Sequence, residues 1–218
     1  MKTTIIFDLD GTLIDSRADL AAAVNTMLNH FNYQSYPLDT ICSFVGDGIV
    51  KLVERSIDGT DIQLEPALKV MKDAYTKDVC VHTKLYDGVE TGLQRLREAG
   101  IPIAIATNKI IDCTESILEK LDIAHYFDHI IGDGSGFERK PSPDGLTHIL
   151  RETGAEASSS WMVGDHHTDI ISGRNAGLKT VFLAYGIGDA MGEEYDKEFD
   201  NFGHTVDFLI KTHNETTD

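Results

Sequence analysis

The stretch Asp8-Leu9-Asp10-Gly11-Thr12 sets two carboxylates one residue apart on a polar turn, with a hydroxyl just behind them. Paired carboxylates can divide the work of nucleophile and general acid or base, or can ligate a hard cation. Further groups of this kind follow along the chain: Thr107-Asn108-Lys109, Lys140 in a Lys-Pro-x-Pro-Asp run, and Asp165 and Asp169 in Gly-Asp-x-x-x-Asp. Brought together they would place four carboxylates, a hydroxyl and a lysine at one point. Such carboxylates repel one another, and the usual compensation is a divalent cation. Mg²⁺ prefers oxygen ligands and often keeps waters and substrate phosphate in its shell, so the set points to phosphoryl chemistry.

The elements that would position these residues can be read from periodicity. Residues 3–7 are apolar and β-branched and run straight into the Asp8 turn, which predicts a buried strand with the chemistry at its carboxyl end. Similar apolar runs recur at residues 103–106, 129–131, 161–163 and 180–184, separated by helical patterns. Five such strands predict a Rossmann-like α/β core, a parallel sheet with helices on both faces, where ligands bind beyond the carboxyl ends of the strands. Glu98-Ala99-Gly100 closes a helix carrying Leu93, Leu96 and Arg97, and Ser142-Pro143 predicts a cap with proline at the first helical position.

Roughly 95 residues separate the first two strands, far more than an ordinary connection, and their pattern is helical. Leu20, Val24, Leu28 and Phe31 follow a Ser16-x-x-Asp19 capping pattern; Ile49, Leu52, Val53 and Ile57 repeat the helical spacing, as do Leu64, Leu68, Met71 and Tyr75. The expectation is an all-helical cap over residues 15–84, inserted into a core of residues 1–14 and 85–218; the alternative is that these helices extend the core. Acidic residues 186–203 read as a solvated loop with at most one short helix, and polar residues 213–218 as a frayed end.

Composition narrows the partners. The 218 residues are 41% apolar and 25% charged, an ordinary packed globule. Thirty-six Asp and Glu against nineteen Lys and Arg leave a formal charge of −17, which repels nucleic acid and anionic membrane surfaces. Cys42, Cys80 and Cys113 are odd in number and widely spaced, which suits buried thiols in a reducing compartment. With neither the apolar stretch of a signal peptide nor a run of ~20 apolar residues, the expectation is a cytoplasmic protein, monomeric or homodimeric, acting on a small phosphorylated metabolite.

In the order and content of its four motifs the sequence resembles the haloacid dehalogenase-like hydrolases, in the branch with a helical cap after the first motif. The resemblance covers nearly the whole chain. It implies Asp8 as nucleophile, Asp10 as general acid and base, Thr107 and Lys140 as phosphate-binding groups, and Mg²⁺ held by Asp8, the Asp10 carbonyl, Asp165 and Asp169. Gly11, Thr12 and Asn108 are further candidates for the phosphate, and Gly46, Asp47 and Gly48 for the substrate side of the cap. Asp15-Ser16-x-x-Asp19, the Gly46-Asp47-Gly48 turn ahead of Leu52-Val53-Glu54-Arg55, and Gly132-Asp133 ahead of Arg139-Lys140-Pro141 are similar to bacterial phosphoglycolate phosphatases. His166 and His167 depart from the pattern, since relatives usually carry Ser or Thr at the first of these positions. Adjacent histidines beside a carboxylate could suit a softer metal such as Mn²⁺ or Zn²⁺, but neighbours in sequence rarely face one ion, so the expectation is that both form the loop and cap the next helix.

Alternatives remain within and beyond this class. Asp10 argues against the ion-pumping and dehalogenase branches, which the resemblance says lack a carboxylate there. Pyrophosphate, nucleotide or sugar phosphate could replace 2-phosphoglycolate as substrate, a sugar phosphomutase shares the chemistry, and an idle binding module on the same fold would be expected to lose a motif residue. A substrate carboxylate would need a cation, for which Arg17, Lys51 and Arg55 in the cap are candidates.

Overall fold

The computed structural model describes residues 2–217, with side chains through residue 215. Its centre is a six-stranded, all-parallel sheet in the order β5-β4-β1-β6-β7-β8. The strands are β1 (Ile5–Phe7), β4 (Ile103–Ile110), β5 (His129–Asp133), β6 (Trp161–Gly164), β7 (Lys179–Leu183) and β8 (Lys197–Phe199). β1 is central because Ile5, Ile6 and Phe7 are all fully buried and can be covered on both faces. Ile5 and Phe7 point to one face, in a core shared with Val89, Leu93, Leu96, Phe202 and Val206 of helices α5 (Val89–Glu98) and α9 (Phe202–Thr217). Ile6 points to the other, with Leu146, Ile149 and Leu150 of α7 (Asp144–Thr153). On that same face Gly173 of α8 (His167–Asn175) lies so close to the sheet that a Cβ there would come within 2.8 Å of Met162 and Thr180.

Several expectations are adjusted by the structure. β8 is a sixth strand inside the stretch expected to be a loop. As Lys-Glu-Phe on the sheet edge it is mostly solvated, so no apolar run announces it. β4 continues through Thr107, Asn108 and Lys109, past the residue at which its apolar run ends, with a register irregularity between Ala106 and Ile110. α7 starts one residue late: Pro143 is the N-cap, and Ser142 Oγ accepts from the Asp144 N–H at 3.3 Å. α9 continues through residues 213–217, which are helical rather than frayed; Asp218 lies outside the described residues. Of the cysteines only Cys113 is buried, Cys42 and Cys80 being half-buried.

Between Asp15 and Lys84 the chain forms four helices, α1 (Arg17–His30), α2 (Leu38–Cys42), α3 (Ile49–Ser56) and α4 (Leu64–Lys77). They pack on one another, and α3 also packs against β4. The chain leaves and re-enters through two short strands, β2 (Ile14–Asp15) and β3 (Lys84–Leu85), which pair antiparallel with Ile14 opposite Leu85. The predicted Ser16-x-x-Asp19 capping box is not formed. Ser16 makes no side-chain cap, and Asp19 instead accepts from the N–H groups of Val81, His82 and Thr83 and from Thr83 Oγ1, at 2.6–3.0 Å. Asp19 thus ties the returning chain to the start of α1.

Burial pushes the Asp19 carboxyl up, but the bonds from Thr83, His82 and Val81 outweigh it and hold it below the usual carboxylate range. A lowered pKa contributes stability in full above the unfolded value of ~3.9 and loses it as pH falls through the folded value. Asp19→Asn places an amide NH₂ among these donors and is expected to cost about 2 kcal/mol near pH 7, with the gap from wild type narrowing as the pH falls below the unfolded carboxylate value of ~3.9. Urea denaturation of both proteins across that range measures it.

Candidate active site

The carboxyl ends of β1, β4 and β6 bring together the residues singled out by type and spacing. Asp8 follows β1, with its backbone N–H donating to the carbonyl of Val163 at 2.9 Å, so the nucleophile candidate continues the sheet ladder. Lys140 Nζ lies 2.9 Å from Asp8 Oδ1, off the hydrogen-bond direction, and donates to Asp169 Oδ1 at 2.5 Å. All three side chains are almost wholly buried. Burial opposes charge on Lys140, but Asp169 and Asp8 more than offset it, so the ammonium is held on.

Asp165 is enclosed by donors. Thr12 Oγ1 donates to Oδ1 at 3.0 Å, and the N–H groups of Ile187 and Gly188 donate to Oδ2 at 2.9 and 2.8 Å. Gly11, at φ +82°, passes so close that a Cβ would lie 2.1 Å from Asp165 Oδ2, so only glycine fits the turn. Gly11 and Thr12 thus pack against Asp165, with the cavity beside Asp8 lined by other residues. The glycine-bearing loop after β7 supplies the other two donors, a contribution that the acidic character of residues 186–203 concealed.

Asp10 is turned toward the cap. Lys109 Nζ donates to both of its oxygens at 2.9 Å, and Ser16 Oγ donates to Oδ1 at 2.5 Å. Lys109 is itself buried and lies 4.7 Å from the centre of the Tyr75 ring, a cation–π contact contributed by α4. Thr107 lies beside them, its Oγ1 accepting from the Lys109 N–H at 3.3 Å. Asn108 also lines the cavity beside Asp8, and its Nδ2 donates to the carbonyls of Lys140 at 3.0 Å and Gly46 at 3.4 Å, clamping the β4 end to the cap loop.

A cavity of about 60 Å³ opens between core and cap, lined by Asp8, Asp10, Thr107, Lys109, Gly46 and Gly48 with apolar cap side chains. Lys109 is the one cation on its wall among the described residues. The expected cap cations are engaged elsewhere. Arg17 pairs with both oxygens of Asp15 at 2.8 Å, Lys51 pairs with Glu54 at 2.6 Å, and Arg55 bridges Asp47 Oδ2 at 2.5 Å and the Phe44 carbonyl at 2.9 Å. Asp47 faces an outer groove with Arg55 and His167 and does not line the cavity. Lys109 was visible in the sequence only as the third residue of Thr107-Asn108-Lys109.

Asp8, Asp165 and Asp169 offer three carboxylate oxygens within 4.8 Å of one another, all buried. With Asp10, the four carboxylates exceed Lys109 and Lys140 by two charges, and an all-oxygen set of this kind fits one divalent cation. The crowding registers as proton affinity. Burial, with Asp169 adding to it against Lys140, raises the Asp8 carboxyl to about 6, and burial with Asp169 and Asp8 raises Asp165 to about 8.

Residues 5–183 match the family model described as haloacid dehalogenase-like hydrolase. The chain belongs to this family. It is 36% identical over 97% of its length, and 97% of the relative's, to a phosphoglycolate phosphatase of Psychrobacter arcticus. It is 39% identical over 85% of its length to that of Neisseria gonorrhoeae, covering 81% of it. A crystal structure of a predicted phosphoglycolate phosphatase from Haemophilus somnus superposes with a TM-score of 0.89 at 27% identity, covering 94% of this chain and 96% of that one. The protein is an enzyme of the phosphatase type within the haloacid dehalogenase-like hydrolases. Among the described residues no helix is long and apolar enough to cross a membrane.

The raised carboxyls give this haloacid dehalogenase-like site a measurable signature. A cation takes up ionised ligands, so at pH ~7 its binding is expected to release roughly one proton, chiefly from Asp165, and close to none above pH ~9.5. Calorimetric titration with Mg²⁺ in buffers of different ionisation enthalpy reads that number.

Proposed function

We propose that the protein is a Mg²⁺-dependent phosphatase of small phosphorylated carboxylates, with 2-phosphoglycolate as the preferred substrate, acting through an aspartyl-phosphate on Asp8. The observation that carries the reading is the small cavity with Asp8 and Asp10 on its wall and the buried Lys109 beside them. A phosphate next to Asp8 leaves little space for a leaving group larger than a few heavy atoms, and Lys109 offers positive charge for a carboxylate. The names of the most similar relatives support the same substrate.

In this reading an oxygen of Asp8 attacks phosphorus in line, forming the O–P bond as the ester O–P bond breaks. Asp10 delivers a proton to the departing oxygen, then takes one from the water that attacks the phospho-Asp8, and inorganic phosphate leaves. Thr107 and the ammonium of Lys140 hold the phosphoryl oxygens, and Lys109 with Ser16 aims Asp10 at the leaving group. A divalent cation held by Asp8, Asp165 and Asp169, with the Asp10 carbonyl in support, would neutralise the charge that opposes an anionic nucleophile. Residues 15–84 serve as a lid on a core of residues 1–14 and 85–218, hinged at the paired strands β2 and β3, and exclude bulk water.

Two measurements test this. Phosphate release is expected to be greater from 2-phosphoglycolate than from pyrophosphate, a hexose phosphate or a nucleoside monophosphate by at least tenfold in kcat/KM, about 1.4 kcal/mol, and to stop when chelator is added. A hexose or nucleotide preference would replace the substrate, and activity indifferent to chelator would remove the cation. Acid-quenched mass spectrometry is expected to find no phosphoenzyme in Asp8→Asn and an accumulated one in Asp10→Asn, where hydrolysis has lost its base. Phosphate retained on Asp8→Asn would place the nucleophile elsewhere.

A further inference from the structure

We propose that Asp47, His166 and His167 form a second cation site, for a borderline divalent ion such as Zn²⁺, that fastens the cap loop to the core.

The two histidines follow one another in sequence, an arrangement that ordinarily sends side chains apart. Here the chain changes conformation between them: His166 is extended, at φ −127° and ψ 151°, as the N-cap of α8, and His167 is the first residue of that helix. The change brings both rings to the same side, with centroids 4.1 Å apart. The expectation that they would only shape the loop and cap the helix therefore holds for His166 as a cap but leaves its second nitrogen unexplained.

That nitrogen faces the cap. Gly46 packs directly on it, at φ +125°, and a Cβ there would lie 2.3 Å from His166 Nε2, so any side chain would close off the ring. Asp47, the next residue, brings Oδ1 to 3.8 Å from His167 Nε2, beyond hydrogen-bond reach, and His167 Nδ1 is buried without a hydrogen bond. One ligand atom from each of the three residues lies within 4.8 Å of the others. Donors around a tetrahedral ion with bonds near ~2.0–2.1 Å stand roughly 3.4 Å apart, so a small inward movement would close the set.

The surroundings suit a metal of this class. Two imidazoles and a carboxylate favour Zn²⁺, Co²⁺ or Cu²⁺ over Mg²⁺. Two of the three ligands have an outer partner: a metal on Nε2 would put the His166 proton on Nδ1, which would then donate to Thr168 Oγ1, 2.9 Å away, in place of accepting the Thr168 N–H at 3.4 Å, and Arg55 holds the other Asp47 oxygen. Asp47 belongs to the cap segment and the histidines to the core. An ion there would oppose lid opening, which adds a restraint to the phosphatase reading without depending on it.

The test uses the full chain with Mg²⁺ in excess to fill the Asp8 cluster. Titrated Co²⁺ is expected to give one equivalent with the visible absorption of nitrogen-ligated Co²⁺, competed away by Zn²⁺. His167→Asn is expected to weaken this binding at least tenfold, and Asp165→Asn to leave the spectrum intact. Hydrogen exchange at residues 46–48 should slow on adding Zn²⁺ to wild type and be unchanged in His167→Asn. Circular dichroism and phosphate release with Mg²⁺ alone check that His167→Asn is folded. An unaltered Co²⁺ spectrum in folded His167→Asn, or its loss only in Asp165→Asn, would overturn the site. Binding without slower exchange would overturn its fastening role. Neither outcome touches the Asp8 chemistry, which is read separately by phosphate release.

Discussion

The structure is organised around an excess of negative charge that it has buried at one end of a parallel sheet. Asp8, Asp165 and Asp169 are almost wholly removed from water, Asp10 is mostly so, and Lys109 and Lys140 balance only half of them. Isolated buried carboxylates are among the costliest groups a fold can contain, and loss of one partner of a buried pair commonly costs several kcal/mol. Some elements that reach this end of the sheet bring acids, and the others bring donors or cations to meet them. β1 brings the two acids, β4 brings Lys109, the segment before α7 brings Lys140, and the loop after β7 presents two backbone N–H groups to Asp165. What remains is a deficit of two positive charges that suits one divalent ion.

The same constraint explains why the cap is more than a cover. Asp10 is held from the cap side by Ser16 at the start of α1, and Lys109 leans on Tyr75 of α4. Asn108 joins the carbonyl of Lys140 to that of Gly46. The acid–base residue thus answers to both units, whereas Asp8 answers only to the core. Movement of the cap would disturb Asp10 first and leave the nucleophile, its lysine and the carboxylate cluster in place.

Core strands were legible because burial on both faces leaves an unmixed apolar run, as at Ile5, Ile6 and Phe7. Where burial is one-sided or replaced by polar function the signal fails. β8 is an edge strand of Lys, Glu and Phe, and β4 ends on Thr107, Asn108 and Lys109, whose hydrogen bonds serve the site. Spacing alone also could not tell a helix cap from other uses of the same residues. Ser16 and Asp19 stand where a capping box would, but one serves Asp10 and the other gathers the N–H groups of the returning chain. Among site residues the four carboxylates and Lys140 were legible from type and order. The contact of Thr12 was not, because a hydroxyl near a phosphate site serves equally well one layer beneath it, as Thr12 does under Asp165.

Recognition of a substrate carboxylate was expected from cap cations, and the structure moves the question to the core. Arg17, Lys51 and Arg55 each have an anionic partner of their own, so a substrate anion would have to displace one. Lys109 is different because its partner is the acid–base residue itself. An anion held by Lys109 would share the one cation that holds both oxygens of Asp10, so its binding would bear on how the acid–base residue is aimed. In the proposed reading, size exclusion by the small cavity and charge recognition by Lys109 would both act beside Asp10, and selectivity would then fall on turnover as much as on binding.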